Sequence, residues 1–265
     1  MVAPRRKALG DPLPRASTPL GHPPISAVIN PLINPLIKLG GGLSEAPARL
    51  ATGLEPVDRL LGGGFPRGHL SEITGPASSG RTSLALALSA AATRAGEVTA
   101  WLDAADAFDP ASAQAAGVDL DRLLWIRAPR VREALRGAER LLTARGFALV
   151  VLDLCASEAS NAFLPSTWMR LARAAAASGT ALVVLGRDRL VGSHAALVVD
   201  LRAIRLRFAT SPAWLEGLEA RVALVRHRLG PSEGFAPVHW KVPPFARGVP
   251  ARAGSARGGG GAGAS

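Results

Sequence analysis

Gly75-Pro76-Ala77-Ser78-Ser79-Gly80-Arg81-Thr82, followed by Ser83, is a stretch whose residue types and spacing suit the holding of a phosphate group. It joins an apolar run, Leu70–Thr74, to an Ala/Leu-rich run that begins at Thr82. In that setting, backbone N–H groups of a tight turn and of a helix N-terminus converge on phosphate oxygens. Thr82 stands where a hydroxyl ligates Mg²⁺. Position 81 carries Arg where the strict pattern has Lys, so the positive charge is kept but as a planar fork instead of a compact point charge. Further along, Phe147-Ala148-Leu149-Val150-Val151-Leu152-Asp153 is an apolar strand ending in an acid that can hold Mg²⁺ through water. The candidate phosphate ligands are Gly75, Pro76, Ser78, Ser79, Gly80, Arg81, Thr82 and Ser83, and the candidate metal ligands are Thr82 and Asp153. A Gly/Ser turn with one Arg also arises by chance, and many α/β folds cap a buried strand with Asp. The order and spacing of the two together carry the reading.

Other residues point to chemistry less directly. His22, His69, His194, His227 and His239 are scattered without metal-ligand spacing, and no Ser-His-Asp pattern has supporting context. Cys155 follows the acid-tipped strand and reads as a small buried residue; a lone cysteine excludes an internal disulfide and a cysteine-based metal cluster. Arg132, Arg136 and Arg140 form one stripe on a helix, beside Glu133 and Glu139, which fits a solvated face better than a binding surface. Arg205 and Arg207 alternate with Ile204, Leu206 and Phe208, which predicts a strand with one basic and one buried face. With Arg221, Arg226 and Arg228 on the next strand, this makes a basic sheet surface for DNA or an acidic partner, or a plainly solvated one. Of the five tryptophans, Trp214 in Ser211-Pro212-Ala213-Trp214-Leu215 is the best placed partner anchor.

The elements that must position these residues alternate in type. Strands are expected at Leu70–Thr74, Val98–Asp103, Leu123–Ile126, Phe147–Asp153 and Ala181–Gly186. Helices are expected from Thr82 to about Arg94, Val131 to Arg145 and Ser166 to Ala177, each followed by a stop glycine: Gly96, Gly146 and Gly179. This order predicts βαβ units and a mostly parallel sheet. After Gly186 come three strands without helices between them, Ala196–Phe208, Ala220–Arg228 and Pro237–Val242, which extend the sheet in antiparallel fashion.

The chain has 265 residues, 48% of them hydrophobic, enough to bury one substantial core. No apolar stretch reaches the ~20 residues of a membrane-spanning helix. Behind Arg5, Arg6 and Lys7 there is no apolar block, so a cytoplasmic protein without a secretory signal is expected. The net charge of +11 sits partly in the tails, and only Lys7, Lys38 and Lys241 are lysines. Such a balance favours polyanions in general and specifies none. Residues 1–46 are Pro/Gly-rich and read as a disordered segment, with Ile29-Asn30-Pro31-Leu32 echoed by Ile33-Asn34-Pro35-Leu36. Residues 47–243 form the core domain, and 244–265 a flexible Gly/Ala-rich tail.

Between these tails a family resemblance is visible. Thr52-Gly53-Leu54-Glu55-Pro56-Val57-Asp58-Arg59-Leu60-Leu61-Gly62-Gly63-Gly64-Phe65-Pro66-Arg67-Gly68 resembles the entry to a RecA core. The likeness continues through the phosphate loop, Leu102-Asp103-Ala104-Ala105-Asp106-Ala107-Phe108-Asp109-Pro110 and Gly117-Val118-Asp119-Leu120-Asp121-Arg122-Leu123-Leu124. It can be followed over about residues 50–243. It implies a RecA-like P-loop NTPase core: a mostly parallel twisted sheet flanked by helices, with antiparallel strands at the C-terminal side. It also implies that Val225-Arg226-His227-Arg228 is similar to the basic strand that reaches a neighbouring subunit's nucleotide in RecA filaments.

Departures from the pattern shape the functional expectation. Ala105 stands where the resemblance places a glutamate that activates water, and losing a positioned base costs ~10²–10⁴ in rate. The DNA-gripping loop after the fifth strand is reduced to about Arg187–His194, and no counterpart of the polymerisation helix and strand is recognisable in residues 1–46. The chain therefore resembles the ImuA-like (SulA/RecA-like) accessory proteins of bacterial damage-induced mutagenesis. That resemblance implies little or no ATP hydrolysis, weak or vestigial ATP binding, and Mg²⁺ only with nucleotide. It implies as partners an ImuB-like Y-family polymerase homologue, an error-prone C-family DNA polymerase, RecA itself and DNA, with no membrane. The alternatives are an active RecA-type DNA-dependent ATPase, with Asp106 or another acid as base, and a SulA-like inhibitor of cell division.

Overall fold

The structure, a computed structural model, describes residues 48–104, 106–155, 165–208, 215–231 and 233–241. The Pro-rich segment with its repeated tetrapeptide, Ala105, Trp214 and the C-terminal tail lie outside these residues. In chain order the elements are β1 (Arg49–Leu50), α1 (Glu55–Leu60), β2 (Phe65–Pro66), β3 (Leu70–Thr74), α2 (Arg81–Arg94), β4 (Val98–Asp103) and α3 (Pro110–Ala115). They continue with β5 (Leu123–Arg127), α4 (Val131–Ala144), β6 (Phe147–Asp153), α5 (Pro165–Ser178), β7 (Ala181–Leu185), β8 (Leu197–Phe208), β9 (Leu215–His227) and β10 (Gly234–Lys241).

Eight strands form one sheet in the order β10-β9-β8-β3-β7-β6-β4-β5, and β1 pairs with β2 apart from it. Pairing is parallel from β8 through β5 and antiparallel for β8–β9 and β9–β10. The expected α/β architecture is thus the observed one. The central strands β3, β6 and β7 are buried on both faces, as the apolar runs of β6 and β7 require, and β3 carries Ser71, Glu72 and Thr74 into that interior. On one face Ile73, Leu149, Val151, Val183 and Leu185 pack with α2 residues such as Leu84 and Leu88. On the other, Leu102, Val150, Leu182 and Val184 pack with Ala134 and Ala138 of α4 and Trp168 of α5. Helix α4 approaches so closely at Gly137 that an added Cβ would stand 2.6 Å from Leu102 Cδ2. No helix among the described residues is long and apolar enough to cross a membrane.

The outer half of β8 departs from the burial that its alternation predicts. The apolar face of β8 is not buried beyond Leu201: Ile204, Leu206 and Phe208 are 64%, 51% and 59% exposed. The reason lies in the pairing. Strand β3 accompanies β8 only as far as Thr74 opposite Asp200. Beyond that point β8 runs on with β9 alone, as an arm that projects past the body of the sheet. Strand β9 also begins earlier than its hydrophobic pattern predicts, at Leu215 instead of Ala220.

Candidate phosphate site

The loop expected to hold phosphate lies between β3 and α2, at the C-terminal edge of the parallel strands, where α/β sheets place their ligand sites. Gly75 is buried, and its N–H donates to Arg187 O (3.3 Å). Ser78 turns the chain with φ +59°, and Gly80 caps the helix at φ +94°, a conformation open to glycine at little cost. Helix α2 has no side-chain cap and no acid in its first turn. Its N-terminal N–H groups and positive dipole end therefore have no side-chain cap of their own, the arrangement an anion site uses. Pro76, Ala77, Ser78 and Thr82 are exposed and Ser83 half-buried; Ser79 is buried, its Oγ without a hydrogen-bond partner. The backbone cradle fits a phosphate.

The side chains complete it less well. Arg81 is buried, and its Nη1 donates to Gly186 O at 2.5 Å, just past the end of β7. Strand β7 separates β3 from β6, so the guanidinium reaches across the sheet edge towards Asp153. Asp153 accepts from the Cys155 N–H (3.0 Å). Burial pushes its carboxyl above the usual range against that bond, and nearby Asp103 adds to the rise. Arg81, Asp153 and Cys155 are thus brought together. Burial and the Asp153 carboxylate push the Cys155 thiol up to about 12, which leaves it protonated and unreactive.

The acids after β4 have other tasks. Asp103, opposite Asp153 in the β4–β6 register, accepts from Ala107 N (3.1 Å) and Phe108 N (2.9 Å), closing the turn that follows the strand. Asp106, with φ +52°, is gripped by Arg127 through two hydrogen bonds of 2.7 Å. Arg127 ends β5, the outermost strand on that side, four strands from β3. Asp106 is thus paired with the edge strand of the sheet. Among the described residues no three His, Cys, Asp or Glu side chains cluster to hold a metal. Mg²⁺ would need phosphate oxygens beside Thr82 and Asp153, as it does in nucleotide sites generally.

The four arginines expected at an interface do not form one patch. Arg226 donates to Gly192 O (3.3 Å), and Arg228 bonds Ser193 O, so both hold the short loop after β7. Arg205 and Arg207 lie on the projecting arm, where Arg207 meets Glu219 at 3.3 Å. Register places Arg205 beside Glu219 and His239, and Arg207 beside Gly217 and Lys241, on one sheet face. Arg132, Arg136 and Arg140 are exposed, as a solvated stripe should be. Two shallow hollows of about 410 and 470 Å³ border α4 and share Arg136 and Arg140, far from the phosphate loop.

Two residues of this region were not singled out from sequence. Trp240 of β10 packs against Gly80: a Cβ added there would stand 2.5 Å from its Cζ3. Glu72 of β3 is fully buried, and its Oε1 accepts from the N–H groups of Leu190 (2.5 Å) and Val191 (3.1 Å). A charged residue inside Leu-Ser-Glu-Ile-Thr, in register with inward-facing Leu70, was the available signal for Glu72; Trp240 had none, because its contact is long-range.

Comparison with known proteins agrees with this architecture. Residues 34–168 match the RecA N-terminal domain family. Protein RecA of Rubrobacter xylanophilus is 41% identical over 123 residues, 46% of this chain and 36% of that protein. Protein RecA of a Picosynechococcus species is 38% identical over 122 residues, 46% and 35% of the two chains. These matches span about a third of the relatives' length. The crystal structure of the RadB recombinase superposes with a TM-score of 0.57 at 23% identity, covering 71% of this chain and 94% of that one, which is a likeness of fold. The chain belongs to the RecA N-terminal domain family.

Proposed function

We propose that this chain is an ImuA-like accessory protein of bacterial damage-induced mutagenesis, working by contact with partners and not by ATP turnover. The observation that carries the reading is the Arg81–Gly186 hydrogen bond, which turns the loop's one cation away from a phosphate and into a structural tie. Two features support it. Asp106, which follows Ala105 in sequence, is paired with Arg127 at the edge of the sheet. The loop after β7, where the resemblance implies a DNA grip, is fastened by Glu72 from below and by Arg226 and Arg228 from the side. Fastened backbone does not readily reorganise around a DNA strand.

On this reading the partners are an ImuB-like Y-family polymerase homologue, an error-prone C-family polymerase and RecA, with the arm bearing Arg205 and Arg207 as a contact for an acidic partner or DNA. ATP with Mg²⁺ would occupy the cradle weakly, if held by Gly75–Ser83 and Asp153. The test is co-purification with an ImuB-like Y-family polymerase homologue, together with ATP turnover measured with and without single-stranded DNA. Stable complex formation without turnover is expected; DNA-stimulated turnover at a RecA-like rate overturns the reading. The uncapped N-terminus of α2 favours a second reading, a working RecA-type ATPase, which that same turnover would establish.

A further inference from the structure

We infer that the phosphate cradle is held shut by two side chains of its own chain, Arg81 and Trp240, and that the ligand able to open it is a nucleoside triphosphate with Mg²⁺. The inference rests on the proposed accessory role only in taking this loop as the former nucleotide site.

Arg81 begins α2 and could direct its guanidinium outwards over the loop. It is instead buried and bonded to Gly186 O at 2.5 Å. A carbonyl accepting from a guanidinium makes a charge-assisted bond, stronger than its neutral counterpart, and the nearby Asp153 carboxylate reinforces the position. A bound phosphate has to compete with both. Lysine at this position has a shorter reach than Arg81, so the carbonyl of Gly186 would hold it less well.

Trp240 closes the other side. It is the last large apolar residue of β10, packed on the core shared by α2 and the sheet, and its ring lies on Gly80, the cap of α2. The backbone N–H groups around Gly80 belong to the set that an anion at the helix N-terminus must reach. The register sets Trp240 opposite Leu218, which is opposite Leu206, so the indole is carried on the projecting arm itself, beyond Asp200 where β8 leaves β3. Whatever moves the arm moves the cover over the loop. A partner bound on the arm and a nucleotide in the cradle are then coupled through Trp240, and each would favour or oppose the other by the same factor.

The experiment titrates Mg²⁺·ATP into the full chain and into R81K, W240A and R81K/W240A by calorimetry, with each variant's folding verified by thermal unfolding. The double variant is expected to bind at least tenfold more tightly than the wild type, with the single variants between. A folded double variant that binds no better than the wild type overturns the inference. Should W240A not fold, R81K and R81K/W240F serve the same comparison, and absence of any gain in R81K overturns it. Turnover in the same samples separates this inference from the accessory reading. Tighter binding without turnover supports both, unchanged affinity without turnover removes only the shut cradle, and RecA-like turnover by the wild type removes the accessory role.

Discussion

Replacing Glu72 by alanine removes the acceptor that fastens the loop after β7. Two N–H groups lose their partner, those of Leu190 and Val191, and the second lies in a buried residue. Hydrogen bonds to a charged group contribute about 1.5–3 kcal/mol each. Against this stands the relief of removing a carboxylate that burial disfavours, with Oε2 lacking any hydrogen-bond partner among the described residues. A net loss of about 2–4 kcal/mol follows. For a domain of this size that lowers Tm by about 5–15 °C. The assay is urea unfolding followed by far-UV circular dichroism, with Glu72→Gln alongside. Glutamine keeps an acceptor oxygen of the same reach without the charge, so its loss is expected to be about 1 kcal/mol or less. The pH dependence carries an independent sign. Burial raises the Glu72 carboxyl above its ordinary value, opposed by the two N–H bonds and by Arg189. Its contribution is therefore largest below the ordinary glutamate range and is lost as pH rises through the raised value, a dependence that Glu72→Gln abolishes. A Glu72→Ala protein within 0.5 kcal/mol of wild type would refute the claim that this loop is fastened from below.

Further outcomes follow from other sites. His227 is buried beside Arg49, whose Nη1 lies 3.0 Å from its Nε2; burial first, and the guanidinium next, hold its imidazole below the usual value. Its contribution to stability is present above the ordinary histidine range and lost as pH falls through the lowered value, so denaturation midpoints should drop on acidification and drop less in His227→Gln. Asp106→Ala should cost under about 1 kcal/mol, since its pair with Arg127 is exposed, and should leave any ATP turnover unchanged; loss of turnover would identify Asp106 as a base after all. Phe208→Ser on the projecting arm should change stability by less than about 1 kcal/mol, whereas Leu149→Ala in the core should cost about 2–5 kcal/mol by the same unfolding assay.

What could be read from sequence was whatever local patterns encode. The parallel strands announced themselves as short apolar runs between Ala/Leu-rich helices ended by Gly96 and Gly179, and the loop from Gly75 to Thr82 lies where a strand-to-helix turn must lie. Three things were not local. The exposure of Ile204, Leu206 and Phe208 depends on β3 ending at Thr74 while β8 continues, a mismatch of strand lengths that alternation within β8 cannot reveal. The direction of Arg81 depends on a carbonyl more than a hundred residues away. The cover over Gly80 comes from β10, placed by the pairing of Trp240 with Leu218 through two antiparallel connections. Arg226 and Arg228 illustrate the same point: their bonds to Gly192 O and Ser193 O depend on a short loop more than thirty residues away in sequence.

On the proposed reading, this member of the RecA N-terminal domain family retains the cradle without the hydrolytic chemistry. The most direct test of that reading is steady-state ATP turnover of the full chain with saturating single-stranded DNA and Mg²⁺, beside a RecA protein under identical conditions. Turnover lower by at least ~10²-fold is expected, the least that loss of a positioned base costs. Turnover within tenfold of the RecA protein would contradict it.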